Sequence, residues 1–257
     1  MKSEEAQSLR RLFAVGHGVA LTVLLLPVLP TALGIARGPD VLFWVGKSML
    51  MVITATLLAL ALPLLSTCFR PTGKFLSSSV MIPFGLMAAI CILHRVRGRW
   101  ASESLMSANC FDHPDMRDLQ AAYDAADEVC AACIGDLAKQ EGIPPMLMDG
   151  VSDCPRYHTE AKRWRREFRY LSSLEQRFPC SGVCYGGRRL WQDPQGVIGP
   201  PCGTFAAQTL QRATSQASGL LAYSIIVIVM LIPAHIWFLS PLVRRYDDAI
   251  LTPADPA

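Results

Sequence analysis

The stretch "LEQRFPCSGVCYGG", residues 174–187, decides how this chain is read. A run with helical spacing stops at Pro179 and delivers Cys180 and Cys184 around a Ser-Gly pair. Thiols placed this way are a metal clasp, a redox site or a structural staple. The choice depends on which side of a membrane they occupy.

The chain has 257 residues, of which 51% are hydrophobic and 18% charged, but the two classes are segregated. Apolar residues gather in four blocks, Leu12–Ala36, Val41–Cys68, Phe75–His94 and Leu220–Val243. Each approaches or exceeds the roughly 20 residues that an α-helix needs to cross about 30 Å of hydrocarbon. None shows the charged face at helical spacing that a soluble bundle requires. The blocks therefore read as four transmembrane helices of an all-α membrane protein. Arg10 and Arg11 ahead of the first block also fit a signal peptide. Its length and the acidic Glu4 and Glu5 favour a retained helix. The expected organisation is a tail over residues 1–11, three spans with short connections over 12–94, a cysteine-rich loop over 95–217, a fourth span over 218–243 and a tail over 244–257.

Orientation follows from Lys and Arg near the span ends. Lys2, Arg10 and Arg11, then Arg70 and Lys74, then Arg244 and Arg245 fall on one side of a four-span chain, which makes that side and both tails cytosolic. Arg95, Arg97 and Arg99 oppose this. They are able to snorkel outward, and a long domain translocates largely regardless of charge. The large loop is then extracellular or lumenal, in the plasma membrane or an endomembrane. Its basic and acidic residues are equal in number between Arg95 and Ala217, which argues against a nucleic-acid partner.

Seven of the nine cysteines, Cys110, Cys130, Cys133, Cys154, Cys180, Cys184 and Cys202, lie in this loop, where disulfides persist. Cys91, inside the third block, reads as a packed small hydrophobe. Cys68, in "STCFRPTGK", is a candidate for reversible palmitoylation, with an unmodified interfacial thiol as the alternative. Within the loop, a helix is expected from Asp112 as cap, through Pro114 in the first turn, to Gly142. A second runs from about Tyr157 to Phe178, with Trp164, Phe168, Leu171, Leu174 and Phe178 on one side. Its basic "KRWRR" run reads chiefly as a solvated face. The Gly- and Pro-rich stretch from Pro179 to Gly203 reads as loop held by cysteines.

Four spans, cytosolic tails and one stapled loop before the last helix resemble a tetraspanin. The family's Cys-Cys-Gly signature follows an amphipathic helix. Here Leu174, Phe178, Cys180 and Gly182 match it, Ser181 takes the second cysteine's place, and Cys184 follows the glycine. The resemblance implies a non-enzymatic scaffold without cofactor that associates laterally with other membrane proteins. It also implies a bridge from Cys180 to Cys202, with Cys184 pairing with an earlier cysteine such as Cys154. Six cysteines allow 15 pairings, so spacing alone leaves connectivity open. A seventh is left over. Cys110, isolated near the membrane, is the candidate free or intermolecular thiol, the latter as the link in a disulfide-joined homo-oligomer. The departures from the family are the short connection between Ala36 and Val41, the late position of Cys-Ser-Gly in the loop, and spans without Glu or Gln.

The rival reading is a membrane thiol-disulfide oxidoreductase using Cys130 and Cys133. That pair falls in mid-helix beside Asp127 and Glu128, which disfavour a reactive thiolate. Zinc held by Cys130, Cys133, Cys180 and Cys184, with His113 and His158 in reserve, is disfavoured in an oxidising compartment. Lys47 and His235, ionisable residues within spans, lack acidic partners and do not make a transport path. Gly16 with Ala20, and Gly85 with Ala89, are small residues four apart. Packing within the bundle is the expected use of both pairs.

Overall fold

A computed structural model describes residues 15–16, 19–20, 22–46, 50–51, 53–54, 57, 61, 73–107, 109–139, 149–194, 196–234 and 237. These are mostly helical: α1 Val28–Ala36, α2 Pro39–Trp44, α3 Gly73–Leu105, α4 Pro114–Lys139, α5 Tyr157–Arg163, α6 Arg165–Arg177 and α7 Cys202–Ala234. Short 3-10 turns lie at Cys110–Asp112 and Val151–Asp153. Among the described residues no β-strand forms, and only isolated bridges join Ser181 to Pro201 and Arg189 to Asp193. The chain divides into two compact units, one of Met1–Gly38, Gly46–Val96 and Thr214–Ala257, the other of Pro39–Val45 and Arg97–Ala213.

In the first unit the buried residues form stripes with steps of three and four. They are Leu25, Val28, Ala32 and Ile35; Phe84, Met87, Cys91 and His94; and Ala217, Leu220, Ser224 and Val227. Such steps keep a stripe on one face of a helix, as in a left-handed bundle. The Tyr223 hydroxyl donates to the Leu24 carbonyl at 2.7 Å, joining two of the stripes. The outward faces are apolar as well, with Val23, Leu26, Ile82, Leu86, Val96, Ile226, Val229 and Met230 exposed. Helices apolar on all sides are stable only against other protein or lipid. Met81–Leu105 and Cys202–Met230 are each long and apolar enough to cross a membrane, and Thr22–Ala36 is a shorter apolar helix. Most of the second apolar block and the end of the fourth lie outside the described residues.

The second unit holds the cysteine-rich loop. One side of α4 buries Met116, Leu119, Tyr123, Ala126 and Cys130, and α4 packs on both α5 and α6. From α6 come Phe168, Leu171 and Leu174, and from the first turns of α7 Ala206, Ala207 and Leu210. Two expected bounds change. The helix expected over Tyr157 to Phe178 breaks at Trp164, whose backbone (φ −109°, ψ 34°) leaves the helical region, so that α5 and α6 are separate. The second apolar block does not start as a span at Val41. Residues Pro39–Val45, which include α2, group with the loop, with Val41 and Val45 buried, and Gly46 follows at φ +82°. An apolar run reads the same whether lipid or a protein core covers it.

Candidate functional site

The site begins where α6 ends. The Phe178 amide still reaches the Leu174 carbonyl at 2.9 Å, then Pro179, with no amide proton to donate, leads the chain into Cys180. Cys180 is bonded to Cys202, the first residue of α7, with 5.0 Å between their Cα atoms. Around this bridge the two segments are laced by backbone hydrogen bonds: Ser181 N to Pro200 O at 2.9 Å, Cys202 N to Gly182 O at 3.2 Å and Gly203 N to Val183 O at 3.3 Å. Ser181, fully buried, closes the turn with its hydroxyl. Oγ donates to Gly187 O at 2.5 Å and accepts from Gly187 N at 2.9 Å. Gly182 sits at φ +61°, and a Cβ there would lie 2.3 Å from the Tyr185 carbonyl oxygen. Only glycine fits that backbone and that space. Gln120 of α4 completes the turn, its Oε1 accepting from Val183 N at 3.0 Å and Cys184 N at 2.9 Å.

The remaining bridges differ from the expected pattern. Cys184 is bonded to Cys110, not to Cys154, and Cys154 is bonded to Cys133. Cys110 is therefore neither free nor available to a second chain. The 3-10 turn at Cys110–Asp112 packs on α4 and brings Cys110 to the Cys-Ser-Gly turn, whereas Cys154 ends the 3-10 turn Val151–Asp153, also packed on α4. The odd thiol is Cys130, fully buried in the core. Burial raises its pKa, as do Asp127 and Glu175, against the opposing Arg188. Cys130 and Cys133 do not form a pair, and a Cys133 locked to Cys154 is not a resting dithiol. The zinc set fails on chemistry, since Cys133, Cys180 and Cys184 are spent in disulfides. Among the described residues no group of three His, Cys, Asp or Glu side chains converges.

Two polar clamps fix the loop. Glu175, 1% exposed, points from α6 into the core and accepts from Trp191 N at 2.8 Å and Leu190 N at 3.2 Å. Burial dominates its electrostatics and raises its pKa from 4.5 to about 7, against the two amides and Arg189. Beside it the Tyr123 hydroxyl donates to Arg188 O at 2.7 Å, and Arg188 pairs with Asp127 at 2.8 Å. In the second clamp Asp40 of α2, 2% exposed, receives both arms of the Arg177 guanidinium at 2.8 and 3.0 Å. It also accepts from the Tyr170 hydroxyl at 2.9 Å and the Thr209 hydroxyl at 2.8 Å. Phe43 stacks on the Tyr170 ring at 4.1 Å, and Trp44 Nε1 donates to the Tyr170 hydroxyl at 2.8 Å. Burial and then Asp40 push the Tyr170 pKa well up, so this hydroxyl stays a donor.

What remains exposed is a mixed surface. Tyr185 and Phe111 lie side by side at 6.4 Å, and Val197 and Ile198 stand 88% and 72% exposed between Gly196 and Gly199. Arg156, Lys162, Arg163, Arg165 and Arg169 are exposed on and beside α5 and α6. His113 packs edge-on to Trp100, and His158 to Tyr157. Gly16, Ala20, Gly85 and Ala89 are exposed rather than packed inside the bundle, with open space where a Cβ would stand at Gly16 and Gly85. Cys68, Lys47 and His235 lie outside the described residues. No family model matches the sequence, and neither a curated protein nor a solved structure matches it.

Proposed function

We propose that this chain is a tetraspanin-like membrane scaffold. Four helices cross the membrane with both tails cytosolic, the stapled loop faces the lumen or exterior, and lateral association with other membrane proteins is its work. The observation that carries this reading is the Cys180–Ser181–Gly182 turn bonded to Cys202 at the head of an apolar helix. The family's second cysteine position is filled by a serine that holds the same turn through hydrogen bonds. The outward-facing small residues of the first and third apolar blocks support close approach of neighbouring helices. The recognition surface is the exposed part of the loop, Tyr185, Phe111, Val197 and Ile198.

Epitope tags placed at each terminus and between Gln140 and Met148 test the topology. In intact cells the internal tag is stained and both terminal tags are not, until the membrane is permeabilised. Terminal tags on opposite sides, or an internal tag reached only after permeabilisation, would remove the scaffold reading. A catalytic reading would return if Cys133–Cys154 exchanged rapidly with a mild dithiol while the other bridges stayed closed.

A further inference from the structure

The third apolar block carries a group of side chains that scaffolding does not use. His94 of α3 is fully buried, and neither ring nitrogen has a hydrogen-bond partner. Buried polar atoms in folded proteins are almost always partnered, and an orphan calls for an explanation, a bound ion or water among them. One turn earlier lies Cys91, fully buried and free, and one turn before that Met87, 2% exposed. Positions 87, 91 and 94 fall on one stripe of an α-helix, where neighbours three and four apart have Cβ atoms about 5–6 Å apart. All of them belong to the first unit.

An imidazole, a thiol and a thioether are a soft donor set, which suits monovalent copper and not Mg²⁺ or Ca²⁺. Zinc prefers four ligands, and no group of three His, Cys, Asp or Glu side chains converges among the described residues. Charge selects the same ion. Binding converts the Cys91 thiol and Cu⁺ into a copper-bound thiolate and a released proton, with no change of oxidation state. The thiolate and Cu⁺ together are neutral, whereas a dication on one thiolate would leave a positive charge within a low-dielectric bundle. We propose that Cys91 and His94, with Met87 as a weaker third donor, form a buried site for monovalent copper. The proposal does not depend on the scaffold reading, since it needs neither the topology nor a partner protein.

The full chain in nanodiscs, with its disulfides intact, is titrated anaerobically with Cu⁺ against a chromogenic cuprous chelator. One ion per chain is expected, and X-ray absorption of the loaded protein should require both sulfur and nitrogen neighbours. Cys91→Ala and His94→Phe each weaken binding by at least about tenfold, a loss that even removal of a metal's outer partners produces. Cys130→Ala and Cys68→Ala, which remove the other free or unassigned thiols, leave the affinity unchanged. His94→Gln serves as a second variant if His94→Phe does not elute as a folded species. Absence of binding, binding abolished by Cys130→Ala or Cys68→Ala, full affinity in the His94 variants, or preference for Zn²⁺ over Cu⁺ would each overturn the proposal.

Discussion

Glu175 makes the loop domain respond to pH in a direction opposite to that of most carboxylates. Its pKa in the folded protein is raised from 4.5 to about 7, with burial as the main cause. The folded state therefore holds this proton more tightly than the unfolded state. The stabilisation is fully present below pH 4.5, is lost as pH climbs towards 7, and is flat above that. The rise from 4.5 to about 7, at about 1.36 kcal/mol per pH unit, gives a loss of about 3 kcal/mol over that window. For a domain of this size the loss corresponds to roughly 10 °C in melting temperature. Glu175→Gln has no charge to bury. Its amide oxygen can still accept from the Trp191 or Leu190 amide, so it carries a constant offset but no such slope. The assay is thermal unfolding followed by near-ultraviolet circular dichroism on the full chain in nanodiscs, from pH 4.5 to 7.5, with amide exchange at Leu190 and Trp191 as local readout. The difference between wild type and Glu175→Gln should change by about 3 kcal/mol across the window, against the variant's flatter profile. Parallel profiles for the two proteins would refute the reasoning.

Three further outcomes follow from the same core. Asp40→Ala leaves the Arg177 guanidinium and the Tyr170 and Thr209 hydroxyls without their acceptor, and should cost about 3 kcal/mol or more in loop-domain stability. A double-mutant cycle with Arg177→Met, read by the same melts, should return a coupling well above the experimental error. Gly182→Ala drives a Cβ against the Tyr185 carbonyl at a positive φ and should cost at least about 1–3 kcal/mol, with the Cys180–Cys202 bridge forming in lower yield on a non-reducing gel. Cys130 should resist a thiol-directed mass tag in the native protein. After denaturation without reductant it should be the one loop cysteine that accepts the tag, as peptide mapping will show.

Much of the helical content was legible because its signals are local. The apolar stripe from Trp164 to Phe178 places Phe168, Leu171 and Leu174 in the core, as period and residue type require. Glu175 was missed although the sequence held a signal for it. It stands four residues after Leu171 and seven after Phe168, on the apolar stripe, where a charge needs an internal partner. Asp40 gave less warning. Its partner Arg177 is 137 residues away, and a charge between two apolar blocks reads as an ordinary connection. The cysteine pairs were the least legible. Cys130 and Cys133 look coupled by spacing, but the Cys154 turn packed on α4 decides which of them is used.

The burial of Cys130 bears on how this chain matures. A set of three loop bridges that uses Cys130 leaves some other thiol over, and a wrong pairing of the other six cysteines leaves Cys130 over without the native core around it. In the native set the thiol left over is the one that the core encloses. In a compartment that continually forms and reshuffles disulfides, a misbridged chain offers an attacking sulfur and keeps exchanging. The correctly bridged chain withdraws its last nucleophile from solvent and drops out of exchange. Closure of the core around Cys130 and the end of thiol exchange in the loop are thereby coupled.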